Sequence, residues 1–382
     1  MKSFRRFKKL TGNRKIKVWV LFPYLKTNDE QLDYYYDFNQ SVAEYTRVFE
    51  KIKMPWTWQP VTLDHYREVI EGLQQELHEG EFFPVVLNLC DGDEINGTPG
   101  LSVVKALEYS GLVFTGADHF FYEITTSKIS MKEAFDAHGV SNAPWKTIQA
   151  SNPSPAGIFK RLGKPLIVKP AVSGGSLGVG IKNVVNTPSE MKTEVLKLFE
   201  GYRGWEFGAG GVIAEKFITG PEYTTLIVGS YDRPEDLIYF APVERVFHAS
   251  LPDHEKFLSY ERLWEVYENE SSMPLQGNFY EYKSPPFEIQ DALEAISLSA
   301  YQSVRGKGYG RIDIRMDQTS GKLYVLEVNA QCGLSEDENF TSIGAILKYS
   351  QKSFDYLIRE IILDALIRFE VEAGVRANVL VG

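Results

Sequence analysis

Two alternating runs, YGRIDIRM (309–316) and KLYVLEVN (322–329), flank the five turn-forming residues DQTSG (317–321). Alternation with that separation specifies a β-hairpin. Residues two apart share a strand face, so Arg311, Asp313 and Arg315 project together, as do Glu327 and Asn329 on the second strand. Folding about the turn brings Asp313 almost opposite Glu327. Two carboxylates and an amide oxygen then converge, a hard-ligand set suited to Mg²⁺ bridging nucleotide phosphates. From the hairpin alone a second reading is equally open: a solvated polar face with Arg311 paired to Asp313.

Upstream, KPAVSGGSLGVG (169–180) follows an apolar strand that ends at Lys169, and its glycines can wrap backbone N–H groups round phosphate oxygens. Gly175 and Gly180 have GxxxxG spacing, but Ile181 and Lys182 follow in place of Lys-Ser or Lys-Thr, so the run is not a P-loop. Its glycine pattern and the lack of an acid at ribose distance also exclude a dinucleotide fingerprint. A plain flexible turn is the competing reading. In AEKFITGPEYT (214–224) a strand enters a Gly-Pro turn, and Glu215 and Glu222 are either partners for an adenine amino group and a ribose diol or ordinary surface glutamates.

Further out, KIKVWVLFP (15–23), a helical pattern over 66–80, FFPVVLNLC (82–90), a helix over 102–111 and LVFTG (112–116) alternate strand and helix, which predicts a parallel α/β domain. A helix over 127–139 follows. Strand-rich pieces at 163–171, 210–220, 221–229 and 236–244 then indicate a mixed α+β unit. Residues 245–286 are aromatic and charged without periodicity, as in a lid or binding loop. A helix at about 288–305 and an amphipathic helix near 341–371 flank the hairpin.

The 382 residues include 41 Lys plus Arg against 51 Asp plus Glu, a net charge of -10, which excludes a generally basic nucleic-acid binder. Hydrophobic residues make up 43%, enough for the cores of two or three domains. Only Cys90 and Cys332 are present and the six histidines are scattered, so neither a disulfide framework nor a zinc cluster is expected. No run approaches a spanning helix and no apolar core follows the basic segment 2–17, so a cytoplasmic chain with no membrane partner is expected.

Four blocks, SKISMKEAFDAHGVSNAPW (127–145), PLIVKPAVSGGSLGV (165–179), VIAEKFITGPEYT (212–224) and GRIDIRMDQTSGKLYVLEVN (310–329), together resemble the ATP-grasp superfamily and within it the D-alanine:D-alanine ligase family. The resemblance runs over about residues 84 to 370. It implies a three-lobed ATP-grasp fold, α/β and α+β, divided as an N-terminal parallel α/β (pre-ATP-grasp) domain at 1–122, a central lobe with a mobile phosphate loop at 123–223, and a C-terminal lobe with lid and Mg²⁺ site at 224–382. By the same resemblance Lys128 and Lys169 contact ATP phosphates, Gly174, Gly175 and Ser176 form the phosphate loop, Glu215, Lys216, Phe217 and Ile218 line the adenine pocket, and Glu222 meets the ribose. Asp313, Glu327 and Asn329 hold Mg²⁺, for which Mn²⁺ can substitute, while Arg311 and the N–H of Gly333 stabilise oxyanion charge at the acyl centre. The implied chemistry is γ-phosphoryl transfer to a carboxylate and amine attack on the acyl phosphate, in a homodimer.

The substrate segments depart from the family pattern. Cys90 stands where the family has His, with acids at Asp91, Asp93 and Glu94; Leu263 and Trp264 replace a lid Lys-Tyr pair. Glu338 and Asn339 replace the Ser-Leu pair that receives the second substrate's carboxylate, and an acid there would repel that group by about 1 to 4 kcal/mol. The expectation is therefore an ATP-dependent C–N ligase joining an amino acid or amine to an acid other than D-alanine, or to a keto or enol group activated by phosphorylation, in secondary metabolism. Asp91, Glu94, Trp264, Glu338 and Asn339 are the substrate candidates. A small-molecule kinase and a catalytically silent nucleotide-binding protein are the alternatives.

Overall fold

The computed structural model describes residues 4–25, 38–202, 204–263, 270 and 278–381. Its strands form three sheets. The first is parallel, ordered β2-β1-β3-β4 from β1 (Lys15–Pro23), β2 (Trp56–Val61), β3 (Phe82–Asn88) and β4 (Val113–Phe114). Helices Asn39–Ile52, Tyr66–Glu79 and Leu101–Ser110 connect these strands, and β1 and β3 read as nearly continuous apolar runs because a parallel sheet is covered on both faces. The first of those helices buries Tyr45, Val48 and Phe49 on one face.

The second sheet is antiparallel, β5-β8-β6-β7, from β5 (Trp145–Ile148), β6 (Leu166–Pro170), β7 (Val184–Val185) and β8 (Val212–Lys216). The capped helix Pro188–Glu200 closes its apolar face with Met191, Val195 and Leu198. The third sheet has β9 (Glu222–Val228), β10 (Ile238–Tyr239), β11 (Val243–Phe247), β12 (Tyr280–Lys283), β13 (Tyr309–Met316) and β14 (Leu323–Ala330), ordered β12-β11-β9-β13-β14 with β10 on β9. The strand expected over 236–244 is thus two, and the expected loop 245–286 contains β12, paired antiparallel with β11. The helix expected over 341–371 is also two, Ser342–Tyr349 and Phe354–Val381, parted at the polar run Ser350–Ser353.

The last helix buries Leu357, Ile361 and Leu366 in one core with Val18, Val20 and Val85 of the parallel sheet and Val228 and Val243 of the third. That shared core holds the first and third sheets together. Their junction is tight: a Cβ on Gly308 would lie 2.3 Å from the Gly116 carbonyl oxygen, and φ is +77° and +84° at these two residues. Gln331, just past β14, stitches the same seam, donating to the Asn88 carbonyl at 2.9 Å and accepting from the Ala117 N–H at 2.8 Å. The C-terminal ends of β3 and β4 therefore face the hairpin, where open parallel sheets bind ligands. Among the described residues no helix is long and apolar enough to cross a membrane.

Candidate active site

A cavity of about 840 Å³ lies where the three sheets meet. The β13–β14 hairpin forms its floor. Asp313 pairs directly with Glu327 in the ladder, and a bulge between Asp313 and Ile314 places Leu326 outside the regular register. Asp313 is 7% exposed and its carboxylate is crowded: the Thr224 hydroxyl donates at 2.9 Å, the Arg311 guanidinium at 2.9 Å and the Asn329 amide at 3.0 Å. Arg311 is thus paired to Asp313, as the second reading of the hairpin has it, and the polar face lines a cavity. Among the described residues no three His, Cys, Asp or Glu side chains gather closely enough to hold a metal on their own. Two carboxylates and an amide oxygen are the kinds of donor that Mg²⁺ takes, so Asp313, Glu327 and Asn329 are the residues that would hold it.

Above the floor stand the lysines. Lys128 opens the helix Lys128–Ala137, where its Nζ lies 3.9 Å from Glu327 and donates to the Ser173 carbonyl at 3.3 Å. Burial pulls the Lys128 ammonium below its ordinary pKa, against the support of Glu327 and with further lowering from Lys169. Lys169 is the last residue but one of β6 and hydrogen-bonds Glu215 at 2.5 Å. Gly174, Gly175 and Ser176 follow, line the cavity and turn through left-handed backbone at Gly175 and Ser176.

Ile167, Val179, Phe217 and Phe257 form an apolar slot beside these groups, with Phe217 and Phe257 edge to face at 5.7 Å. Phe257 belongs to the aperiodic stretch, and no sequence signal marks it. Lys216 and Ile218 also line the cavity. Glu215 is 2% exposed and both its oxygens face ammonium groups, Lys169 at 2.5 Å and Lys132 at 2.6 Å. Burial works to raise its pKa, but the two lysines win and hold it at about 2. Glu222 lies between Arg245 and Arg315, and Arg315 also donates to the Ile218 carbonyl at 3.1 Å.

The substrate end differs from expectation in two places. Glu94 does not reach the cavity; its carboxylate accepts from the N–H groups of Gly100 and Ser102 and from the Ser102 hydroxyl, capping the helix Leu101–Ser110 that Gly100 cannot cap with a side chain. Glu338 and Asn339 also lie off the cavity wall. The Asp337 carboxylate accepts from the N–H groups of Asn339 and Phe340, and this local turn points Glu338 outward to Lys348 at 2.9 Å. The wall is instead made by Phe340, Thr341, Ser342 and Ile343. Thr341 caps the helix Ser342–Tyr349, and Ser342 is 7% exposed in its first turn. Trp264 lies outside the described residues. Arg311 and Gly333 both line the cavity, as does Cys332, whose thiol burial pushes up to about 12 and so keeps it protonated.

Asp91 opens onto this cavity and onto an adjoining one of about 120 Å³, reached by solvent through the cleft while protein surrounds it elsewhere. Its side chain is exposed to the cleft, and desolvation by the surrounding walls raises its pKa, against its own backbone N–H and with help from Asp93. Because the folded-state value lies above the unfolded one, the ionised carboxylate penalises the fold at high pH, by an amount that solvent in the cleft keeps small, and the penalty fades as pH falls toward 4. Asp91→Asn is accordingly expected to melt above the parent at pH 8 and together with it at pH 4. A constant difference across that range would refute the assignment.

A family model described as "D-ala D-ala ligase C-terminus" matches residues 135–363. The D-alanine-D-alanine ligase of Psychrobacter sp. (strain PRwf-1) is 29% identical over 291 residues, covering 72% of this chain and 76% of that protein. The D-alanine-D-alanine ligase of Nitrosococcus oceani is 26% identical over 312 residues, covering 81% and 85%. Among solved structures, the D-alanine-D-alanine ligase from Bacillus anthracis complexed with ATP superposes with a TM-score of 0.63 at 16% identity, over 94% of this chain and 99% of that one. At that identity the likeness concerns the fold.

Proposed function

The chain belongs to the D-ala D-ala ligase C-terminus family, has the ATP-grasp fold and is an ATP-dependent ligase, and from that premise we propose that it couples a carboxylic acid to the amine of an amino acid through an acyl phosphate. What supports this reading is the convergence of Lys128, Lys169, Arg311, Asp313, Glu327 and Asn329 on one cavity whose opposite wall is the N-terminus of the helix Ser342–Tyr349. The polar groups of that floor suit phosphoryl transfer, and the helix start suits a carboxylate.

The apolar slot of Ile167, Val179, Phe217 and Phe257 takes the adenine ring, and Glu222 lies within reach of the ribose. Lys128, Lys169 and the backbone of Gly174, Gly175 and Ser176 hold the phosphates. Mg²⁺, held by Asp313, Glu327 and Asn329, would neutralise charge on the triphosphate. The γ-phosphoryl group passes to a substrate carboxylate oxygen and ADP leaves; the amine nitrogen then attacks the acyl carbon, loses a proton and expels phosphate. Arg311 and the Gly333 N–H face the acyl oxygen as its charge grows.

The Ser342 hydroxyl and the Ile343 N–H receive the acceptor's carboxylate. The repulsion expected from Glu338 no longer applies, because that carboxylate is paired to Lys348 away from the cavity. An amino acid acceptor is thus favoured over a simple amine. Purified protein given Mg-ATP and pooled D- and L-amino acids should release ADP and phosphate in equal amounts, with an amide product visible by mass. Ser342→Ala should raise the KM of the active acceptor by about tenfold, the scale of one hydrogen bond to a charged group, with little change in kcat. ADP without phosphate would indicate a kinase, and no amino-acid-dependent turnover would sink the ligase reading of these substrates.

A further inference from the structure

Lys132 lies one helical turn beyond Lys128, is 1% exposed, and contacts Glu215 at 2.6 Å. Its ammonium makes no hydrogen bond of good angle among the described residues, so the contact is one of charge. Such a group is expensive to bury, and a Met or Leu of similar volume would pack there at less cost. Its charge therefore needs a use.

The neighbouring charges supply one. Lys169 sits on the other oxygen of the same carboxylate at 2.5 Å, and it lines the cavity, whereas Lys132 does not. With Glu215 alone as partner, Lys169 would be neutralised on the side that must face an anion. We propose that Lys132 is a positioning residue which shares the Glu215 carboxylate and thereby leaves Lys169 with uncompensated positive charge for the nucleotide phosphates. The inference rests on the reading of the cavity as an ATP site.

The charges linked by these contacts are Lys132 and Lys169 against Glu215, two cations and one anion with a sum of +1. Lys132→Met lowers the sum to zero, Glu215→Gln raises it to +2, and the double variant returns it to +1. Phosphate binding should follow that ladder. Adenosine, which carries no phosphate, should not.

Calorimetry with Mg-ATP and Mg-ADP, together with adenosine measured by competition against a fluorescent nucleotide, tests this on the full chain. Lys132→Met should lose tenfold or more in affinity for ATP and ADP and keep its affinity for adenosine. The double variant should return ATP affinity to within about threefold of the parent, on the argument that interacting charges are not additive. Glu215 also lines the cavity, so Glu215→Gln is read by its ATP affinity relative to its adenosine affinity, a ratio that should be no lower than in the parent, and it carries the test where Lys132→Met does not fold. Equal losses for ATP and adenosine in Lys132→Met, a double variant whose ATP-to-adenosine affinity ratio is not restored, or a lower ratio in Glu215→Gln than in the parent would each overturn the proposal. A parent protein that binds no ATP would instead sink the nucleotide reading on which it rests.

Discussion

Glu327→Gln is expected to cut ADP release by on the order of 10²–10³-fold, the scale for removing one preorganised charge at a reaction centre, while leaving the melting temperature unchanged. The two halves of that expectation have separate causes. The Glu327 side chain is 31% exposed and its ion pair with Lys128 spans 3.9 Å, so little of the fold depends on its charge. Its carboxylate nevertheless lines the cavity with Asp313 and Asn329, where the proposed function puts the divalent cation. Asp313→Asn should look different: it also deprives Arg311 of its buried partner, so both activity and stability fall. Raising Mg²⁺ should partly restore Glu327→Gln, because a site with one weaker ligand still fills at higher concentration. Full turnover in Glu327→Gln would remove the metal assignment, and a loss indifferent to Mg²⁺ would move Glu327 to another role.

The contrast between these two residues marks where the sequence is legible. Strand period and turn length suffice to put Asp313 across from Glu327, and the ladder pairs them. Neither reveals how much of each carboxylate is already spent, because Thr224 and Arg311 reach Asp313 from a neighbouring strand and from two residues away. Block spacing failed at Glu338 for a related reason. The Asp337 turn absorbs the residues 338–340 and carries the chain to Thr341, a local detour that a fixed offset from Gly333 does not allow for. Strand β12 was hidden because it pairs with β11 across more than thirty residues, and two ends of such a long connection carry no common period.

The largest stability effect is expected at Glu222→Gln, at about 3–5 kcal/mol, the usual cost of breaking a buried ion pair from one side. Glu222 is 6% exposed on a strand buried along its whole length, between Arg245 at 7% and Arg315 at 3%. Its ion pairs with Arg245 and Arg315 are the anionic contact that both guanidiniums share. Replacing it by an amide leaves two largely buried cations facing one another at the cavity wall. Arg315 has further support from the carbonyls of Ile218 and Lys256, at 3.1 and 2.6 Å, and Arg245 from the Tyr282 hydroxyl at 3.2 Å. Arg245→Met should therefore cost less than Glu222→Gln, since it removes one cation and leaves Glu222 paired to Arg315. The same clamp reaches function, because Arg315 holds the Ile218 carbonyl at the edge of the apolar slot, so Glu222→Gln should also weaken ATP binding in the fraction that remains folded. Urea unfolding of the three proteins decides the order. A Glu222→Gln midpoint equal to the parent, or below the parent by less than that of Arg245→Met, would show that the two arginines do not depend on this carboxylate.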